Sequence, residues 1–152
     1  MKHSLPIQIR WADIDANRHL RHSAYYDYAA SARIEILSSN GLTLHKLEEL
    51  AIGPVLLREE AVFRREIRFE DSIRISTEVL KATRDYTRWT IRHEIEKSDG
   101  VRAAIITIDG AWIDMNKRKF AAPDDFVVNI FNALPKSAEF QFTETENSDR
   151  KK

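Results

Sequence analysis

Residues Trp11–Tyr28 read WADIDANRHLRHSAYYDY. The first half, Ala12 to His22, is a polar loop that carries two aspartates, two histidines and an asparagine. From Ser23 the pattern turns helical, with Tyr25, Tyr28, Ala29, Ala32 and Ile36 on one stripe at three- and four-residue steps. Ser23 is placed to N-cap this helix. Asn40-Gly41 offers a left-handed stop, with Leu42 placed for the hydrophobic contact that often follows. Alanines on the stripe let the helix lie close on what it packs against, here a curved sheet.

Upstream, residues 5–11 (LPIQIRW) alternate as a strand with Leu5, Ile7, Ile9 and Trp11 on one face. Downstream, a short helix spans Leu44 to Leu50 and starts at Thr43. Residues 55–69, 72–82, 88–96 and 101–114 then carry period-two alternation. Turns at Glu70-Asp71, Arg84-Asp85 and Ser98-Asp99-Gly100 predict an antiparallel meander. Ala103, Ala104, Ile105, Ile106 and Ile108 make the last of these strands apolar on both faces, so a helix should cover one side and a second subunit the other. A final helix, 124–134, follows Pro123. The sum is an α+β domain over residues 1–135, one long helix lying across a strongly bent antiparallel sheet. Residues 136–152 read as a polar tail with a mobile end, within which Phe140 and Phe142 alternate like a short edge strand.

The 152 residues fit one domain, and 43% hydrophobic with 32% charged residues fit a packed core under a solvated surface. Lys plus Arg and Asp plus Glu both number 24, a balance that argues against nucleic-acid binding and permits self-association. With no cysteine, disulfides, thiolate nucleophiles and Cys-ligated zinc are excluded. No signal-peptide core and no membrane-length apolar run is visible, so an intracellular, cytoplasmic protein is expected.

Asp13, Asp15, His19 and His22 stand just before a helix N-terminus. Unpaired N–H groups and the positive end of the helix dipole meet there. A carboxylate aimed at that place can activate water or attack a carbonyl while the amides stabilise an oxyanion. Asp15, His19, His22, Tyr25 and Tyr28 match D-x-x-x-H-x-x-[NH]-x-x-Y-x-x-Y/F, and in this the chain resembles hot-dog thioesterases similar to 4-hydroxybenzoyl-CoA thioesterase. Asp13, Ala32-Arg33, Gly53 to Arg58 and Glu70 to Ile73 extend the likeness over about residues 5–125. Where many members have Gly before the histidine, this chain has Arg18.

The resemblance implies a hot-dog fold whose sheet wraps the helix, and a homodimer or homotetramer with active sites at the subunit interface. It implies an acyl-CoA or acyl-carrier-protein thioester as substrate and no cofactor. Asp15 corresponds to the catalytic carboxylate, as nucleophile or as base for water, and the amide near His22 to the group that polarises the thioester carbonyl.

Each residue has a plainer reading as well. The plainer reading of Asp15 is a loop residue that stabilises an Asx-turn, a role for which Asp13 is the better candidate. His22 is expected to orient the aspartate or substrate, and His19 and Tyr25 to touch substrate, although Tyr25 and Tyr28 also fit a core stripe. Zinc on His19, His22 and Asp15 lacks a fourth ligand. Arg58, Arg64, Arg65 and Arg68 form a basic stretch on the second strand. Arg58, with Arg84 and Arg88 beside Lys81 at the later hairpin, is a candidate clamp for CoA phosphates. Trp89 and Trp112 fit packing or interface roles. The functional alternative is an acyl-CoA-binding or regulatory module that does not hydrolyse; nothing recommends a hydratase or dehydratase.

Overall fold

The period-two segments become strands wherever an apolar face can meet the long helix. A computed structural model describes residues 3–144. In chain order these hold β1 (His3–Ile7), a 3-10 turn (Trp11–Asp13), α1 (His22–Ser39), α2 (Leu44–Leu50), β2 (Ile52–Phe63) and β3 (Ile73–Thr83). β4 (Arg88–Lys97), β5 (Arg102–Asp114), β6 (Lys119–Phe120), α3 (Asp125–Ala133) and β7 (Lys136–Thr143) follow.

The sheet runs β1-β3-β4-β5-β2, antiparallel throughout, with β6 on β5 and β7 parallel to β3. Only β3, β4 and β5 form the expected meander. β2 lies at the far edge on β5 instead of beside β3, because residues 64–72 cross between the edges and do not turn back. β2 therefore stops at Phe63 and not at Phe69, which leaves Arg64, Arg65 and Arg68 off the strand. β1 also ends early, at Ile7. Trp11 leaves the inward face, lies 75% exposed and meets Phe69 edge-on.

α1 lies across the concave face. Ala24, Tyr25, Ala29, Ala32, Ile36 and Leu37 are its buried residues, so the alanine stripe is where helix and sheet come close. Opposite stand Ile75, Val79, Ile91, Ile95, Ala104, Ile106, Ile108 and Trp112, all buried. Its N-cap is Arg21, with no side-chain cap bond; Ser23, expected there, lies inside the first turn. At the other end Gly41 takes φ +96°, its N–H bonds Ser38 O (3.0 Å) and Leu42 N–H bonds Leu37 O (2.9 Å), the expected left-handed stop. Thr43 caps α2 by accepting from Lys46 N–H.

Trp89, Trp112 and Phe131 form an aromatic cluster at 5.9–6.2 Å. Gly110 is required beneath it: a Cβ there would come within 2.3 Å of the Trp89 ring. β5 is only partly two-sided, since Ile105, Thr107 and Asp109 on its outer face are half-buried beside Arg92 and Glu94. Residues 136–143, read as tail, join the sheet through β7, with Phe142 opposite Ala82. The mobile end expected of the tail lies outside the described residues.

Candidate active site

The loop from Asp13 to Arg21 is drawn into a hairpin-like knot before α1 begins. An isolated bridge joins Ile14 to Leu20, Asp15 N–H bonds His19 O (2.9 Å), and Leu20 N–H bonds Ile67 O (2.7 Å). Beneath it, Asp13 is fully buried and takes Arg10 bidentately (2.7 and 3.0 Å), Arg21 (3.1 Å) and the Tyr28 hydroxyl (2.7 Å). The Arg10 hydrogen bonds, followed by that of Tyr28, hold its carboxyl down at about 2 despite burial. Asp13 thus anchors the loop to α1 and is not the Asx-turn residue. Asp15 holds that geometry: its Oδ1 accepts from Asn17 N–H (2.8 Å) and, at a longer 3.4 Å, from His19 N–H. Among the described residues its Oδ2 accepts nothing. Arg18 takes φ +68°.

A cleft of about 340 Å³ opens over this loop. It is lined by Asp15, His19, Leu20, His22, Tyr25 and the run Phe63 to Glu66. The structure so brings together Asp15, His19, His22 and Tyr25. His19 Nε2 pairs with Glu66 (2.6 Å), while His22 is exposed at the first position of α1. With Arg21 giving no cap, neither the His22 nor the Ser23 N–H has an acceptor among the described residues. Tyr25 is 3% exposed and its ring meets Phe63 edge-on (4.9 Å). Burial, then the nearby Asp15 charge, pushes its hydroxyl up to about 12, so it stays a neutral donor.

The three other expected contacts lie elsewhere. Arg58 pairs with Glu60 on β2. Arg84 lies over the Phe142 ring and Arg88 over that of Phe120. Arg88 and Lys81 line a separate cleft of about 380 Å³ at the β3–β4 end of the sheet. Arg64, Arg65 and Glu66 were missed as cleft residues because alternation through residue 69 hides where the strand ends; the Arg64-Arg65 pair was the available signal. The arrangement offers a carboxylate, two open amides and two guanidinium groups on one cleft, which suits acyl transfer to water.

A model of the thioesterase-like superfamily matches residues 9–131. Among solved structures, a Staphylococcus aureus protein determined in complex with CoA superposes at TM-score 0.80 and 19% identity, covering 90% of this chain and 88% of its own. The DHNA-CoA thioesterase of Staphylococcus aureus gives 0.72 at 20% identity, with 80% of each chain covered. The 1,4-dihydroxy-2-naphthoyl-CoA thioesterase of Synechocystis gives 0.78 at 17% identity, covering 88% of this chain and 98% of its own. No curated protein matches in sequence. These likenesses establish the bent sheet wrapped on one helix as the hot-dog fold.

Proposed function

The chain belongs to the thioesterase-like superfamily, and on that premise we propose that it hydrolyses acyl-CoA thioesters to the free acid and CoA. The observation that carries this reading is Asp15 on the same cleft as the uncapped start of α1. Asp15 takes a proton from the attacking water, or itself attacks the carbonyl carbon to form a mixed anhydride that water then cleaves to the free acid and the carboxylate. Either way the C–S bond breaks and the thiolate of CoA leaves, taking up the proton that water gives up. The His22 and Ser23 amides stabilise the charge that builds on the carbonyl oxygen, and His22 orients the substrate at the helix start. The thioester is already activated, so no cofactor is needed. His19 and Tyr25 line the acyl approach.

Arg64 and Arg65 are the cations placed for the anionic carrier on this cleft. Arg58, Arg84 and Arg88 serve the same substrate across the interface of a homo-oligomer. CoA is favoured over an acyl-carrier protein because the similar structures are described with CoA or its thioesters. With such substrates, the cytoplasm is the compartment we propose for it. The test is a panel of acyl-CoAs graded by chain length and including aryl thioesters, with free thiol detected. At least one should turn over; saturable binding with no thiol release from any would return the non-hydrolytic alternative.

A further inference from the structure

Between the C-terminal half of α1 and the sheet lies a cavity of about 210 Å³ that shares no lining residue with the Asp15 cleft. Its wall is apolar, built from Ile34, Leu37, Leu56, Ile91, Phe131 and Leu134 among others. One cation interrupts it. Arg33 reaches in from α1 and donates from Nη1 to His93 Nε2 at 3.2 Å. It forms no ion pair with any carboxylate among the described residues; Glu59 acts on it only at longer range. Trp89 is 5% exposed and lends its ring to the same wall.

His93 does not neutralise that guanidinium. It is fully buried, and its Nδ1 faces the Ser76 carbonyl at 3.2 Å and Thr77 Oγ1 at 3.1 Å. A carbonyl only accepts, so the proton sits on Nδ1 and Nε2 is left to accept from Arg33. The imidazole is neutral, its value pushed down to about 3 by burial and then by Arg33 itself. A partly buried cation thus stands beside an apolar wall with no carboxylate in contact among the described residues, so an anion brought there gains a charge-assisted pair.

We propose that this cavity is a binding site for a small monocarboxylate, its apolar body on the α1–β4–α3 wall and its carboxylate on Arg33. Guanidinium and carboxylate match as a planar, two-bond pair. Size narrows the body: a cavity of about 150 Å³ holds benzene, so this one accommodates an aromatic ring or a chain of about six to eight carbons. The apolar wall disfavours a phosphate, which needs polar partners on all sides. The site uses no residue of the Asp15 cleft, so it stands whether or not that cleft hydrolyses thioesters.

Benzoate and octanoate, each paired with its neutral alcohol, are titrated into the full-length protein. The Trp89 indole N–H and the Ile91 and Leu134 methyl resonances are followed by NMR. The carboxylates should shift them saturably and bind at least about tenfold more tightly than the alcohols, the worth of one charge-assisted hydrogen bond. Arg33→Met should erase that preference while leaving the alcohols bound. Ala30→Trp, at an exposed α1 position on the cavity wall, should block both ligands, and it keeps the test decisive if Arg33→Met does not fold. No saturable shift, equal affinity for acid and alcohol, or shifts confined to His19 and Tyr25 would each overturn the proposal.

Discussion

Arg18 occupies the left-handed region at φ +68°, where a side chain costs about 1–2 kcal/mol relative to the right-handed form. Arg18→Gly should therefore stabilise the fold by about 0.5–1 kcal/mol, after the extra chain entropy of glycine is counted. A thermal melt reads this as a rise of about 2 °C; an unchanged or lower Tm would show that the Arg18 side chain contributes more than its backbone costs. Asp13 is the second test at this scale. Asp13→Asn removes the charge that holds Arg10, Arg21 and Tyr28 together and should cost about 1–3 kcal/mol. If Asp13 also positions the loop, turnover should fall with KM nearly unchanged. The Asx-turn reads as belonging to Asp13 in the sequence, whereas Asp15 makes it and Asp13 is the buried anchor. Burial of Asp13 depends on Tyr28 and Arg10 approaching from both sides, and no local pattern reports that.

Helices and turns were legible because their signals are local: the alanine stripe of α1, the Gly41 stop, the Thr43 start of α2 and the Pro123 entry to α3, where Asp124 proves to be the cap and not part of the first turn. Strand order was not. Alternation says that a segment is a strand but carries nothing about which neighbour it takes, so the crossing of β2 to β5 was invisible, as was the parallel pairing of β7. The contact between α1 and β4 carries a pH prediction. His93 has an ordinary value of 6.5 and a folded value of about 3, so between these the unfolded chain takes up a proton that the native state refuses. Stability is full above about pH 6.5 and declines as pH falls, at up to about 1.4 kcal/mol per pH unit. The lowered Asp13 carboxyl adds loss in the same direction below about pH 4. Urea midpoints at pH 7.5, 6, 5 and 4 check this. Equal midpoints from 7.5 to 5 would mean that His93 is protonated in the fold.

The whole molecule ends on one side in β2, a 12-residue edge strand paired only with β5 among the described residues. Leu56, Leu57, Val62 and Phe63 on it are each 41–49% exposed. A long unpaired edge with apolar side chains invites a second copy. No helix of the described residues is long and apolar enough to cross a membrane, so a bilayer-spanning helix does not account for this surface. Light scattering on the purified protein should give a dimer or a multiple of it, and Val62→Lys should shift the population towards monomer and reduce turnover with it. A monomer at tens of micromolar would rule out β2 pairing. The measurement that bears most directly on the central reading is thiol release from the best acyl-CoA by wild type and by Asp15→Asn at equal concentration. Loss of about 10²-fold or more in kcat, with the fold intact by circular dichroism, is the expected result; an Asp15→Asn protein as fast as wild type would remove Asp15 from the chemistry.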